Sequence, residues 1–169
     1  VRRSPLMKGQ TVTDIANPID TCFFSLCSTP SEKEALRSTL SLPTGKTILL
    51  FVAYNVNDAN KGFGTFAQAV QSLIVRQPQL RENICVVAVG RHATTHRKDF
   101  ACEMIPFEYI AERSTMRDIY RASDIFTMAS IMENLPNTIV EAKACGLPVV
   151  ATAVGGIRQM VREGTDGFL

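Results

Sequence analysis

No run of apolar residues in the 169-residue sequence approaches the roughly 18–20 positions that cross a bilayer. The opening, Val1-Arg-Arg-Ser-Pro5, lacks the apolar centre of a secretory signal. The five cysteines (Cys22, Cys27, Cys85, Cys102 and Cys145) form an odd set without a C-x-x-C pair, which speaks against a zinc ribbon and against a disulfide framework. Several stand in apolar runs, so they read as small buried hydrophobes in a reducing compartment, and this points to the cytoplasm. Charge of one sign is scarce as well. The formal net charge is +2, and the densest basic stretches, 1–3 and 91–98, read as solvated ends and loops. Nucleic acid is therefore not expected as a partner. His92 and His96 have H-x-x-x-H spacing, but the stretch around them is polar and loop-like, and no metal is expected there. The phosphate-loop pattern G-x-x-x-x-G-K-[ST], the dinucleotide fingerprint G-x-G-x-x-G, internal repeats and low-complexity tracts are all missing.

What is present is ordinary for a globular chain: 46% apolar and 20% charged residues, in a length that suits one domain with a real core. Residues 1–46 are broken by Pro5, Gly9, Pro18, Pro30, Pro43 and Gly45. They read as an interdomain linker and a lead-in helix, Ser31–Leu40, with Ser31 as N-cap and Glu34 completing a capping box. From Thr47 the texture changes, and residues 47–169 read as the domain proper. Strands are expected at Thr47–Ala53, Ile84–Val89, Met104–Phe107, Asp124–Ala129 and Leu147–Ala151. Helices are expected at Phe63–Arg76, Ser114–Arg121, Pro136–Cys145 and Gly156–Arg162. The first helix would bury Phe66, Ala69, Val70 and Leu73, and the second would turn Met116, Ile119 and Tyr120 inward. Alternation of uninterrupted apolar strands with helices predicts an α/β fold: a Rossmann-like parallel sheet with helices on both faces. In such sheets ligands lie beyond the carboxyl ends of the strands.

Three loops at those ends carry chemistry. The first, Tyr54 to Gly62, is polar and ends in Lys61 at a helix entrance, where free N–H groups and the helix dipole already favour a phosphate. Alone, Lys61 reads equally as an exposed lysine at a helix start. The second runs from Ser130 to Glu141. Asn134 and Pro136 suit a helix opening, which leaves the N–H groups near Leu135, Asn137 and Thr138 free to hold an anion. Glu141 lies about 6–9 Å down that helix with its side chain leaning back, roughly the span from a diphosphate to a ribose. A carboxylate there can accept hydrogen bonds from two sugar hydroxyls, with Glu133 on the other side of the phosphate. A solvated Glu141 fits poorly between Val140 and Ala142. The third loop holds Gly155-Gly156, which permits close backbone approach and a positive φ, though a tight turn without a ligand fits as well.

These residues also resemble a known family. The string from Glu133-Asn-Leu-Pro-Asn-Thr-Ile-Val-Glu141 through Gly146-Leu-Pro148, Gly155-Gly156-Ile157 and Gly164-Thr-Asp-Gly167-Phe-Leu is similar to the signature of glycosyltransferase family 4. Lys61-Gly62, Tyr120-Arg-Ala-Ser-Asp124 with Ser130, and Asn17-Pro-Ile-Asp20-Thr match further stretches of it. The resemblance implies the carboxyl-terminal, donor-binding half of a retaining GT-B enzyme. It implies that an amino-terminal acceptor-binding domain belongs to the same protein, outside this chain, and that this fragment alone is inactive. The substrate would be a UDP- or GDP-linked sugar, transferred to a glycan, a lipid-linked sugar or a small acceptor, with no cofactor and no metal. Lys61, Gly62, Asn134, Leu135, Pro136, Asn137 and Thr138 would hold the diphosphate, Glu141 the ribose, and Glu133 the reacting sugar. Tyr109 and Ile110 would line the base pocket. Where the family carries a phosphate-binding arginine this sequence has Tyr54-Asn55-Val56, leaving Asn55 there and Arg91, after the second strand, to make up the charge. Glu108 and Gln159 also depart from the family pattern. A peripheral membrane association of the whole enzyme stays open. A nucleotide-sugar-binding module without catalysis is the alternative. A dinucleotide oxidoreductase is disfavoured by the missing fingerprint and by the lack of an acidic residue closing a second strand.

Overall fold

The computed structural model describes residues 5–11, 13 and 15–169, except for the side chain of Met7. Thr47–Asn55 (β1), Ile84–Arg91 (β2), Glu103–Phe107 (β3), Ile125–Met128 (β4), Val149–Ala151 (β5) and Gly167–Phe168 (β6) form one sheet in the order β3-β2-β1-β4-β5-β6. Every pairing is parallel. The uninterrupted apolar run of β1 has a simple cause: both of its faces are covered. Ile48 and Leu50 join Cys85, Val87 and Phe126 in one core, while Leu49, Phe51 and Ala53 join Val86, Ala88 and Met104 in the other.

The helices divide between these cores. Phe63–Arg76 (α2) lies on the second face and Leu80–Asn83 (α3) leads into β2. Pro30–Thr39 (α1) packs with Arg113–Ala122 (α4), and Asn137–Ala144 (α5) and Ile157–Met160 (α6) pack on the first face. The chain runs outward from β1 through β2 to β3, then returns to β4 on the other side. The order therefore reverses between β1 and β4, and a crevice opens beyond their carboxyl ends. None of the helices among the described residues is long and apolar enough to cross a membrane.

Several expectations need correction. The cap of α1 is Thr29, not Ser31. Its hydroxyl accepts from Glu32 N at 3.2 Å, and the Glu32 carboxylate accepts from Ser28 N at 2.7 Å. Pro30 tolerates the first helical position, so the helix begins earlier than expected. The buried stripe of α2 is Phe63, Phe66, Val70 and Ile74. Ala69 and Leu73 lie on its exposed flank and line an apolar groove with Leu49, Ile125 and Val150. α5 starts one residue later than expected, with Pro136 as its cap, and β5 starts at Val149, after Pro148. Ala93–Asp99 forms 3-10 turns. The cysteines are all free: Cys85 and Cys145 are buried, and burial pushes both thiols up to about 12, whereas Cys22 is exposed.

One polar network fastens α1 to the sheet. Arg37 is 4% exposed and donates to the carbonyls of Ala122 and Lys46 and, at 2.6 Å, to Asp124. Asp124 also accepts from Lys33 at 2.6 Å and from Ile48 N at 2.7 Å. Burial alone would raise the Asp124 pKa, but the Ile48 N–H, Lys33 and Arg37 outweigh it and hold this carboxyl below its ordinary value.

Candidate functional site

The crevice between β1 and β4 is walled by the two loops that the sequence marks as chemically loaded. They touch through backbone. A Cβ at Gly62, where φ is +67°, would lie 1.9 Å from the carbonyl oxygen of Ala129, so no side chain fits between the loops. Ile131 N donates to Asn60 O at 2.9 Å and closes the same contact. The double glycine has a related task. A Cβ at Gly155 would lie 1.8 Å from Glu133 O, and one at Gly156 would lie 2.2 Å from Asn134 O. Gly155-Gly156 therefore supports the Glu133 turn from behind. This is a closer account of the pair than ligand approach.

This contact brings Lys61 to Glu133. Lys61 Nζ lies 2.6 Å from Glu133 Oε1, and Ser130 Oγ donates to the same oxygen at 2.9 Å. The Glu133 side chain is only 10% exposed, whereas that of Lys61 is 31% exposed. Glu133 Oε2 accepts no hydrogen bond among the described residues. Ser130 is held in turn by Thr152 Oγ1, which donates to its carbonyl. Immediately beyond, α5 begins at Asn137 without a side-chain cap, so its first N–H groups remain available. Asn17 Nδ2 donates to Leu135 O at 3.2 Å and to Asn137 Oδ1 at 2.8 Å, tying the lead-in segment to the mouth of α5.

Glu141, further along α5, faces a different space. It lines a cavity of about 210 Å³ with Tyr109, Ile110, Met116, Tyr120 and Thr138. Its Oε2 accepts from Tyr120 Oη at 2.9 Å. Sequence reasoning turned Tyr120 inward but missed this bond. A signal was available, because a buried tyrosine hydroxyl needs a partner.

The remaining candidates have partners of their own. Arg91 lies over two aromatic rings: its guanidinium carbon is 4.6 Å from the centre of the Tyr54 ring and 5.8 Å from that of Tyr109. These two rings pack edge to face at 5.3 Å. Asn55 closes its own loop, accepting from Asn57 N at 2.9 Å. Glu108 accepts from His92 N, Thr94 N and Thr94 Oγ1 at 2.8, 3.1 and 2.7 Å, and these bonds, with Thr94 foremost, hold its carboxyl below the ordinary value. His96 binds Asp99 and Asn57 through its two ring nitrogens, both at 2.6 Å. Among the described residues no three His, Cys, Asp or Glu side chains gather where a metal ion could be held.

Comparison with known proteins identifies the family and the fold. The family described as "Glycosyl transferases group 1" matches residues 46–169. A D-inositol 3-phosphate glycosyltransferase 2 of Catenulispora acidiphila is 32% identical over 152 residues, covering 83% of this chain and 35% of the relative. A D-inositol 3-phosphate glycosyltransferase of Rhodococcus opacus is 32% identical over 149 residues, covering 83% and 33%. The chain thus spans about a third of the length of these curated relatives. In fold it is similar to the C-terminal domain of a group 1 glycosyl transferase (LpcC) from Francisella tularensis, with a TM-score of 0.70 at 20% identity, covering 90% of this chain and 79% of that one. It is also similar to Anabaena HepE in complex with UDP and glucose, with a TM-score of 0.67 at 21% identity, covering 90% and 41%. The sheet order and these likenesses make the fold that of a GT-B carboxyl-terminal domain, and the chain belongs to the glycosyl transferases group 1 family.

Proposed function

We propose that this chain is the donor-binding half of a retaining glycosyltransferase of family 4, which takes a sugar from a nucleotide donor and passes it to an acceptor held by the rest of the protein. One observation carries the reading. A cation and a carboxylate meet at the mouth of α5, and a second carboxylate on the same helix opens into a separate cavity with Tyr109 and Ile110. A nucleoside diphosphate sugar has matching parts in the same order.

In this reading the diphosphate lies against Lys61 and the first N–H groups of α5. Glu133 has one unoccupied oxygen and meets hydroxyls of the donor sugar. Glu141 grips the ribose, and the base lies along the backbone of Tyr109 and Ile110. As the glycosyl bond breaks, negative charge gathers on the departing diphosphate. Lys61 and the α5 amides are already in place to receive it, so little reorganisation is needed in the transition state. The reaction proceeds without a metal and with retention at the anomeric carbon. Glu133 and Glu141 are not an acid–base pair of the glycosidase kind, because each serves a different sugar. HepE, with its bound UDP and glucose, supports a UDP-linked donor. The acceptor site belongs to the part of the protein outside this chain, in the cytoplasm.

Calorimetry with UDP, GDP and their sugar conjugates on the full-length protein, paired with a transfer assay, tests the proposal. Binding of one nucleoside diphosphate and of its sugar conjugate, with turnover, is the expected result. Binding without transfer to any acceptor would point instead to a catalytically silent module. No binding of either diphosphate would overturn the reading. The isolated chain is expected to bind weakly and to transfer nothing.

A further inference from the structure

We propose that Tyr120 is a positioning residue for ribose recognition: its hydroxyl fixes the Glu141 carboxylate in the orientation that meets the sugar hydroxyls. The inference rests on the reading of Glu141 as the ribose clamp. Tyr120 comes from α4, is 0% exposed, and sends its hydroxyl out of the core to Glu141 Oε2 at 2.9 Å. Its ring cannot swing. Phe24 packs edge-on at 6.3 Å between ring centres, Phe126 packs tilted at 6.0 Å, and both are buried in the same core. The donor is therefore fixed in space by the fold.

The acceptor differs in kind. Glu141 is half-buried, on a helix face beside the cavity, and a glutamate side chain has three rotatable bonds. Left alone, it would lose rotamer freedom each time a ligand ordered it. The phenol removes that freedom beforehand by holding Oε2. Oε1 accepts no hydrogen bond among the described residues and remains for the ligand. Burial, and then the charge of Glu141, push the phenol pKa well above its ordinary value, so Tyr120 stays a donor at neutral pH.

The experiment compares UDP and GDP with their 3′-deoxy analogues by calorimetry on the full-length protein, in the wild type and in Tyr120→Phe. The wild type should bind the better ribonucleotide about 10-fold more tightly than its 3′-deoxy form, and Tyr120→Phe should reduce that ratio to about 2. In a Glu141→Gln background, adding Tyr120→Phe should change the ratio little. A Tyr120→Phe protein that keeps the wild-type ratio, or loses affinity equally for both forms, overturns the positioning role and leaves the donor site standing. A wild type that makes no distinction between the two forms overturns the ribose clamp itself, and this inference with it. Should Tyr120→Phe fail to fold, 3-fluorotyrosine placed at 120 keeps the hydroxyl. Its fluorine resonance should move with the ribonucleotide and far less with the 3′-deoxy form, and equal movement with both contradicts the proposal.

Discussion

The two ends of β4 carry carboxylates that look alike on paper and differ in construction. Before the strand, Asp124 has both oxygens committed: Oδ1 to Lys33, and Oδ2 to Arg37 and to Ile48 N. After it, Glu133 has one oxygen committed, Oε1, to Lys61 and Ser130. The lysine distances are the same, 2.6 Å. Asp124 is a closed network whose partners come from α1 and β1, and it ties elements together. Glu133 is an open network at a crevice, with spare acceptor capacity and a lysine that can take another anion. Equal ion-pair geometry thus closes one network and leaves the other open, and the difference lies in what is left unsatisfied.

Four substitutions can break or sharpen that contrast. The largest effect is expected at the closed end. Asp124→Ala strands Arg37 in the core and should lower unfolding stability by about 3 kcal/mol in urea titrations, with UDP affinity unchanged in the folded fraction. At the open end, Glu133→Gln should reduce turnover by about 10²-fold, equivalent to ~2.7 kcal/mol, with affinity for the free nucleoside diphosphate nearly intact. Lys61→Met should weaken binding of the diphosphate by about 2 kcal/mol, and a loss of stability without a loss of affinity would reverse the assignment. Glu141→Ala should cost about 1–3 kcal/mol in nucleotide binding, seen by calorimetry.

Acid pH tests the closed end. The folded-state pKa of Asp124 is lowered, so its contribution to stability is full above the ordinary carboxylate range and fades as pH falls through the lowered value. Asp124→Asn should remove that part of the acid limb in a melting-temperature series.

The same contrast explains what the sequence disclosed. The strands and α2 were legible because continuous apolar runs and a helical stripe are local signals. The α1 cap was misread because two boxes overlap, Thr29 to Glu32 and Ser31 to Glu34, and only the tolerance of Pro30 for the first helical turn decides between them. Lys61, Glu133 and Glu141 could be picked out by residue type and position. An inward Tyr120 signals that its hydroxyl needs a partner, but that the partner is Glu141, and that Gly155-Gly156 seats behind Glu133, could not be read, because both need the return of the chain across the sheet. The turns at Ala93–Asp99 are steadied by Glu108, a partner from beyond β3 that no local pattern reveals. β6, two residues long, is too short for alternation to register.

A crystal structure of the full-length protein with a bound UDP-sugar would decide where the donor sits. The pyrophosphate is expected against Lys61 and the first amides of α5, with the ribose hydroxyls on Glu141. A nucleotide seated elsewhere on the sheet, or a Glu141 that touches no part of it, would rule out α5 as the donor cradle.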